Sequence, residues 1–518
     1  MGKLDAAGAT VKSGWLRQSV RALAIAGAVV VCSAHVGTFD VFYAGKAGPY
    51  DVQVTVRPPG VIPGLAQITV RINGTGVRRV TAQAAVWNLG TRGAPSPDEA
   101  TPVVGAPGLY SAQLWLMTSA SYAVNVAVEG AQANGRVVVP VTAVATKRLP
   151  MIPGLGWTLA GLAVFLSVGA LTIFRAAAAE STLPPGEEPD ARRKWRGRSA
   201  AAVGGVVVGA LLLGGWNWWN GVDGNYARRM YRALKASASV AGGDTARTLR
   251  LSIDDQRWAN RQSSPLVPDH GKMMHLFLVR APGMDAFAHL HPTLIDSATF
   301  DAALGDTPAG RYRFYADIVH ETGFAETLTG EVDVPAPRPA DHGGDADDGV
   351  SAAPASAGDS VRISDGATIV WQRPTQLVAG VDEPLRFSVV GADGAPAELE
   401  PYLGMTGHAL VSRNDGLVFV HLHSGGSFAM VSQQVLEAVQ RGDTLPSVRP
   451  GASPRAVIRA ADTTAMTGHS APRWRGDDLS FPFAFPSAGK YRIWVQVKRN
   501  GRVQTGAFDA TVTDPTLK

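Results

Sequence analysis

The stretch AGRYRFYADIVHETGFAETLTGEVDV at residues 309–334 recurs as AGKYRIWVQVKRNGRVQTGAFDATV at residues 488–512. Each copy opens with a tyrosine-bearing run in which apolar and polar side chains alternate, passes through a turn and ends in a second such run. This period of two is typical of a β-strand with one buried face. A fainter copy, YAVNVAVEGAQANGRVVVPVTA, occupies residues 122–143. The repeat therefore predicts three related β domains in a chain of 518 residues.

The predicted fold class is mainly β, with three immunoglobulin-like or cupredoxin-like β-sandwiches and three transmembrane helices. Strand-like runs and turn residues place the sandwiches at residues 45–148, 245–336 and 360–514. Residues 337–359 are rich in Pro, Ala, Gly, Ser and Asp, which predicts a linker. One short helix is expected around residues 432–442, with Ser432 as its cap and Gly442 at its end.

Three apolar segments, at residues 22–40, 152–174 and 199–219, predict membrane-spanning helices, because about 20 apolar residues cross a bilayer. The segment between the last two, residues 175–198, is basic. By the positive-inside rule, this loop and residues 1–21 face the cytoplasm, and the β domains face outwards. We therefore expect a multi-pass protein of the bacterial cell (inner) membrane, with large periplasmic or exterior domains. The first segment is alternatively a cleaved signal peptide.

Composition excludes several classes of function. The only cysteine is Cys32, so a disulfide framework and a thiolate zinc site are excluded. The formal net charge is +5, and the basic residues are dispersed rather than interleaved with aromatic residues in one stripe. Nucleic acid is therefore not an expected partner.

Two matching segments, FAHLHP at 287–292 and FVHLHS at 419–424, use four of the chain's 11 histidines. Each follows a strand-like run and a turn signal, APG at 281–283 and NDG at 414–416, so each predicts a β-hairpin. Side chains alternate along a strand, and neighbours across a hairpin lie about 5 Å apart. The two histidines of each triplet would then share a face with one histidine of the facing strand. Three imidazoles at this spacing suit one metal ion. The candidate ligands are His275, His289, His291, His320 and Met274 in one domain, and His408, His421, His423, Met405 and Met430 in the other.

The expected metal is copper, with zinc as the alternative. Imidazole suits both ions, and the thioether of methionine favours Cu(I). The motif MTGH at 405–408 recurs at 466–469, which adds Met466 and His469 as candidates. The competing interpretation is that the histidines and methionines are packing residues of the cores.

The segments DHGKMMHLFLVRAPGMDAFAHLHP (269–292) and PAGRYRFYADI (308–318) resemble the YtkA-like domains. The segment PYDVQVTVRPPGVIPGLAQITVRI (49–72) resembles the same group and its FixH-like relatives. The resemblance implies small extracytoplasmic β-sandwiches, attached to a membrane and associated with copper handling. The first domain lacks histidine, so the resemblance implies no copper site there.

Together these features predict a membrane-anchored metal-binding protein that is not an enzyme. It would bind copper for delivery or homeostasis and would work with a membrane or periplasmic protein partner. One alternative is a non-catalytic scaffold of the cell envelope. A zinc-dependent hydrolase is less favoured, because the sequence contains no HExxH motif and no nucleophile elbow.

Overall fold

The computed structural model describes residues 40–242, 246–352, 354–442 and 474–515. Within these ranges the fold is mainly β, with several sheets and two long apolar helices. We divide it into a first region (40–148), a second region (230–352) and a third region (354–515). The predicted segments 1–21 and 22–40 lie outside the described residues, apart from Asp40.

The first region contains two sheets, in the strand orders β1-β2-β3-β7-β6 and β5-β4-β8-β9. Apolar side chains of both sheets, such as Val54, Ile68 and Val126, form one buried core. The strands are β1 (Val41–Ala47), β2 (Tyr50–Arg57), β3 (Gly64–Asn73), β4 (Val77–Val86), β5 (Asp98–Glu99), β6 (Thr101–Pro102), β7 (Leu109–Leu116), β8 (Ala120–Gly130) and β9 (Gly135–Ala143).

Two helices, α1 (Pro153–Glu180) and α2 (Ala191–Arg229), are long and apolar enough to span a membrane. They pack so closely that a Cβ added to Gly204 would lie 2.4 Å from the ring of Phe174. Both extend beyond the predicted spans. Of residues 175–198, predicted as a basic loop, residues 175–180 belong to α1 and residues 191–198 form the first turns of α2. The reason is local, since Asp190 caps α2 by accepting a hydrogen bond from the Arg193 N–H, and arginine and lysine favour helices.

The second region contains two sheets, in the orders β10-β11-β16-β15 and β12-β17-β13-β14-β19, and β18 pairs with β17. Leu276, Leu290 and Phe314 lie in its core. A short helix, α3 (Gln256–Ala259), follows β11. The strands are β10 (Ala236–Ala241), β11 (Thr248–Ile253), β12 (Leu266–Val267), β13 (His275–Arg280), β14 (Phe287–Leu290), β15 (Thr293–Leu294), β16 (Thr299–Ala303), β17 (Gly310–His320), β18 (Ala325–Val334) and β19 (Gly349–Ser351).

The third region repeats this plan with sheets β20-β21-β23-β28 and β22-β30-β29-β25-β26, and a small β24-β27 pair. Ala409, Leu422 and Val495 lie in its core. The strands are β20 (Ser360–Arg362), β21 (Thr368–Trp371), β22 (Leu377–Val378), β23 (Leu385–Val390), β24 (Glu398–Leu399), β25 (His408–Arg413), β26 (Phe419–His423), β27 (Trp474–Arg475), β28 (Leu479–Phe481), β29 (Gly489–Arg499) and β30 (Arg502–Thr513).

The predicted short helix exists as α4 (Met430–Arg441) and connects the three regions. It ends at Gly442 as expected, with φ 85°, but it begins two residues before Ser432. Its Val435 packs against Val267 and Val319 of the second region. Leu436 packs against the first region.

Residues 337–359 are more than the linker that their composition predicts. They contain β19, which extends the second region's sheet by pairing with β14. Their carboxylates also have partners, since Asp345 binds Lys272 at 2.6 Å and Asp347 binds Lys498 at 2.7 Å. The low apolar content of the segment predicted a disordered linker. The segment is ordered because its carboxylates form ion pairs with lysines of the second and third regions.

The second and third regions bury the outer faces of two sheets against each other. Along β13, Leu276 and Leu278 point into the region's own core, whereas Phe277 and Val279 join a cluster with Leu410, Phe419 and Trp494 of the third region. The rings of Tyr315 and Phe419 stack at 4.0 Å across this interface. Since His275 alternates in step with Phe277, its side chain also belongs to the interface.

Candidate metal centre

The first triad consists of His275, His289 and His291. The predicted hairpin forms, with Phe277 of β13 opposite His289 of β14, and His291 directly follows β14. One nitrogen from each imidazole lies within 4.8 Å of the other two. All three side chains are buried.

The second triad consists of His408, His421 and His423 on the hairpin β25–β26. His408 lies opposite His423 in the ladder, and His421 shares the face of His423. Its three candidate ligand atoms also lie within 4.8 Å of one another. The sequence thus predicted both triads correctly as groups of neighbours, one on each hairpin.

The two triads lie side by side at the interface of the second and third regions. The ring centroids of His275 and His421 are 5.5 Å apart, and those of His289 and His421 are 5.7 Å apart. The sequence predicted one site in each domain. The structure instead brings six imidazoles into one cluster, because both sets of histidines lie on the sheet faces that cover each other.

Groups outside the triads accept a hydrogen bond from one ring nitrogen in three of the imidazoles. His291 Nδ1 donates to Asp348 Oδ1 at 2.9 Å, and His423 Nδ1 donates to the Phe428 carbonyl at 3.0 Å. His289 Nδ1 donates to Gln496 Oε1 at 2.9 Å. These partners are acceptors, so the ring proton lies on Nδ1 and each Nε2 keeps its lone pair. Such contacts orient imidazoles that ligate metals.

The opposite nitrogens lack partners. His291 Nε2, His421 Nε2 and His423 Nε2 are buried without a hydrogen-bond partner within the described chain. Both ring nitrogens of His408 are also buried without a hydrogen-bond partner in this part of the chain. Buried polar atoms are normally paired, and a metal ion would satisfy these lone pairs together.

His275 adds a conflict that a cation would resolve. Its Nδ1 lies 3.3 Å from His289 Nε2, and its Nε2 lies 3.4 Å from the Asp269 carbonyl oxygen. Both neighbours are acceptors once His289 carries its proton on Nδ1. A neutral His275 has one ring proton, so one of these contacts joins two acceptors in either tautomer.

Five of the six triad imidazoles have a pKa that is shifted in favour of the neutral ring. Burial, and then the neighbouring imidazoles, lower the pKa of four histidines well below 6.5, namely His275, His289, His408 and His423. Burial lowers the pKa of His421 to about 3. Desolvation disfavours the charged ring in each case. The neutral ring is the form that ligates a metal ion.

Two predicted ligands do not join the triads. His320 Nδ1 lies 2.7 Å from the Ser264 carbonyl, and its Nε2 lies 2.9 Å from Glu326 Oε1, so other groups engage both nitrogens. Met274 packs in the core of the second region, because it alternates with His275 and points to the opposite face.

The remaining methionines lie at the ends of elements. Met405 precedes β25 in the turn that Tyr402 closes, and Met430 is the first residue of α4. Their role as ligands stays a prediction. Met466 and His469 lie outside the described residues.

Four residues of the centre were not predicted from the sequence as ligands or as partners of the ligands. His270, in a turn with φ 52°, places its ring 5.3 Å from that of His423, and its Nε2 has no hydrogen-bond partner within the described ranges. Gln496, Asp348 and Tyr402 also contact the triads. Only His270 carried a signal, because it lies in the same histidine-rich stretch as the first triad.

A cavity of about 740 Å³ reaches the centre from the side of the first region and the end of α2. Its lining includes His275, His421 and His423, together with Asp317. The centre is therefore buried within the protein but open to small solutes on one side.

One family model matches this chain. It is described as "Domain of unknown function (DUF8832)" and matches residues 230–336 and 360–514, together just over half of the chain. The two segments carry the two triads. No curated protein matches the sequence.

Several solved structures were matched with low similarity. An engineered protein is 20% identical over 17% of this chain and 19% of its own, with a TM-score of 0.14. An endo-fucoidan hydrolase of glycoside hydrolase family 107 is 9% identical over 88% and 43%, with a TM-score of 0.16. The chain thus spans less than half of either protein. The FN1–FN3 domains of chicken CNTN1 are 8% identical over 91% and 99%, with a TM-score of 0.13. At these TM-scores no conclusion about fold or function follows.

Proposed function

We propose a function for this chain, which belongs to the DUF8832 family of domains of unknown function: it binds transition-metal ions, with copper preferred, at its two histidine triads. Its role would be to hold copper and pass it on, as in copper delivery or homeostasis. The supporting observation is the set of buried imidazole nitrogens without partners. Two of them, on His291 and His423, belong to rings that a hydrogen bond at the opposite nitrogen orients.

The donor set favours copper among the ions that imidazole suits. For a given nitrogen site, affinity rises through the first-row divalent ions to copper and falls again at zinc. Met274 points into a core and therefore adds no thioether ligand to the first triad. The resemblance of residues 269–292 and 308–318 to YtkA-like domains stays a prediction, and it points to the same metal.

The setting of the site is part of the proposal. The helices α1 and α2 would anchor the chain in a bacterial cell membrane, with the triads on the periplasmic or exterior side. The paired sheets of each region would be sandwiches of the immunoglobulin-like or cupredoxin-like type. A protein that carries copper receives the ion from another protein or passes it to one, so a membrane or periplasmic protein partner is expected.

Metal content of the purified full-length chain tests this function. The chain would be loaded separately with Cu(I), Cu(II) and Zn(II), then freed of excess metal and analysed. We expect two copper ions per chain, one for each triad. The variant His289→Ala/His291→Ala/His421→Ala/His423→Ala should lose both.

The matched control is His342→Ala, because His342 is an exposed histidine outside the triads. It should retain both ions. Copper content at background in the unaltered chain would mean that the triads are packing residues. Equal copper content in the unaltered chain and the quadruple variant would place the metal elsewhere.

A further inference from the structure

We propose that the two triads form one dinuclear centre, in which two metal ions are close enough to interact and share one open face. The inference rests on the proposed function, since it requires metal at both triads. It goes beyond that function because two independent mononuclear sites would serve a carrier equally well.

The shortest distances between the triads are close to the longest distances within them. Within the first triad, ring centroids are 4.6–5.5 Å apart, and within the second they are 4.4–5.3 Å apart. Between the triads, the His275–His421 and His289–His421 distances are 5.5 and 5.7 Å, and His289–His408 is 6.1 Å. The rings therefore form one continuous cluster, and ions bound by the two sets would be neighbours.

Each region also positions a histidine of the other. His289 of the second region donates to Gln496 of the third. In the reverse direction, His421 Nδ1 of the third region lies 3.4 Å from Asp317 Oδ2 of the second. Asp317 and Gln496 occupy equivalent positions of β17 and β29 in the internal repeat. Each triad thus takes one polar partner from the other region.

A seventh imidazole lies between the triads. The ring centroid of His270 is 6.3 Å from those of His275 and His408, one from each triad. Its side chain is largely buried, and its Nε2 has no hydrogen-bond partner within the described residues. It is therefore placed to contact a ligand or ion shared by both sides.

The open face of the centre is also shared. The cavity of about 740 Å³ is lined by His275 of the first triad and by His421 and His423 of the second. A small ligand such as hydroxide or azide that enters this cavity meets both triads. Two separate carrier sites would not require such a common opening.

Electron paramagnetic resonance of the Cu(II)-loaded full-length chain tests the inference. A ligand such as hydroxide or azide that bridges the two Cu(II) ions in the shared cavity couples their unpaired electrons antiferromagnetically. The native signal of the chain with such a ligand present should therefore account for clearly less spin than the copper content. Samples are kept oxidised, and copper released by acid must return the full signal, which excludes reduction to Cu(I). The variants His289→Ala/His291→Ala and His421→Ala/His423→Ala should each bind one copper ion with its full signal.

The outcomes separate this inference from the proposed function. Two copper ions with full, uncoupled signals would overturn the dinuclear centre and leave the metal-binding function intact. No bound copper would overturn both. If a double variant fails to fold, the unaltered chain is measured with one and then with two equivalents of copper. In a dinuclear centre the signal per copper ion falls when the second ion binds, whereas in two separate sites it stays constant.

Discussion

The second and third regions present the same hairpin and the same three histidines, but they offer each other different side chains. Asp317 of the second region faces His421, whereas Gln496 of the third region faces His289. A carboxylate makes its imidazole partner a more basic ligand than a neutral amide does. Burial raises the pKa of Asp317 to about 6, so the carboxylate form still prevails above that pH. Copies of one scaffold therefore hold two inequivalent triads.

The largest expected effect comes from the apolar interface that brings the two regions together. Phe277 is fully buried, with its ring 4.3 Å from that of His289 and 4.9 Å from that of His421. Phe277→Ala should lower the free energy of unfolding by about 3–5 kcal/mol, because it leaves a cavity. It should also weaken metal binding at both triads. Urea unfolding followed by tryptophan fluorescence measures the first effect.

The matched control for this substitution is Val381→Ala, because Val381 is an apolar residue of the third region with 48% of its surface exposed. Its effect should stay within about 0.5 kcal/mol. If Phe277→Ala destabilised no more than this control, the two regions would not depend on their contact.

Asp317→Asn would give His421 an amide partner, as His289 already has in Gln496. The copper affinity of the triad His408, His421 and His423 should fall roughly 10- to 100-fold, as for other outer partners of metal-bound histidines. Chelator competition at pH 8, above the raised pKa of Asp317, would measure it. The reciprocal change Gln496→Glu should raise the affinity of the other triad.

The control here is Asp333→Asn, an exposed carboxylate on β18. It should leave both affinities unchanged. Equal affinities in the unaltered chain and Asp317→Asn would contradict the assigned difference between the triads.

The last expected effects concern two threonines at equivalent positions. Thr327 donates to Asp317 at 2.5 Å, and Thr505 accepts from Gln496 at 3.1 Å. Thr327→Val should cost about 1.5–3 kcal/mol and Thr505→Val about 0.5–1.5 kcal/mol, since a bond to a charged group is the stronger. Equal losses in urea unfolding would mean that Asp317 is not charged in the folded protein.

The hairpins and their histidine faces followed from the sequence, because strand alternation and turn residues are local signals. The same signals predicted the end of α4 at Gly442. They failed for residues 337–359, where partners distant in sequence supply the order. They also failed at the ends of α1 and α2, because the apolar length of a span does not fix where its helix ends.

The joining of the triads was not predicted, although one clue was present. Strand β13 reads HLFLVR and is apolar on both faces, which indicates a sheet covered on both sides. The sheet of the third region covers the outer face of β13. No local sequence pattern specifies which part of the chain packs there. Gln496 and Asp348 belong to the centre only through that contact and through β19.

Anomalous diffraction at the copper edge, from crystals of the copper-loaded full-length chain, tests the central claim most directly. We expect two peaks inside the cluster of six imidazoles, one beside His275, His289 and His291 and one beside His408, His421 and His423. Peaks only at the protein surface, or none at all in crystals whose protein carries copper, would contradict it.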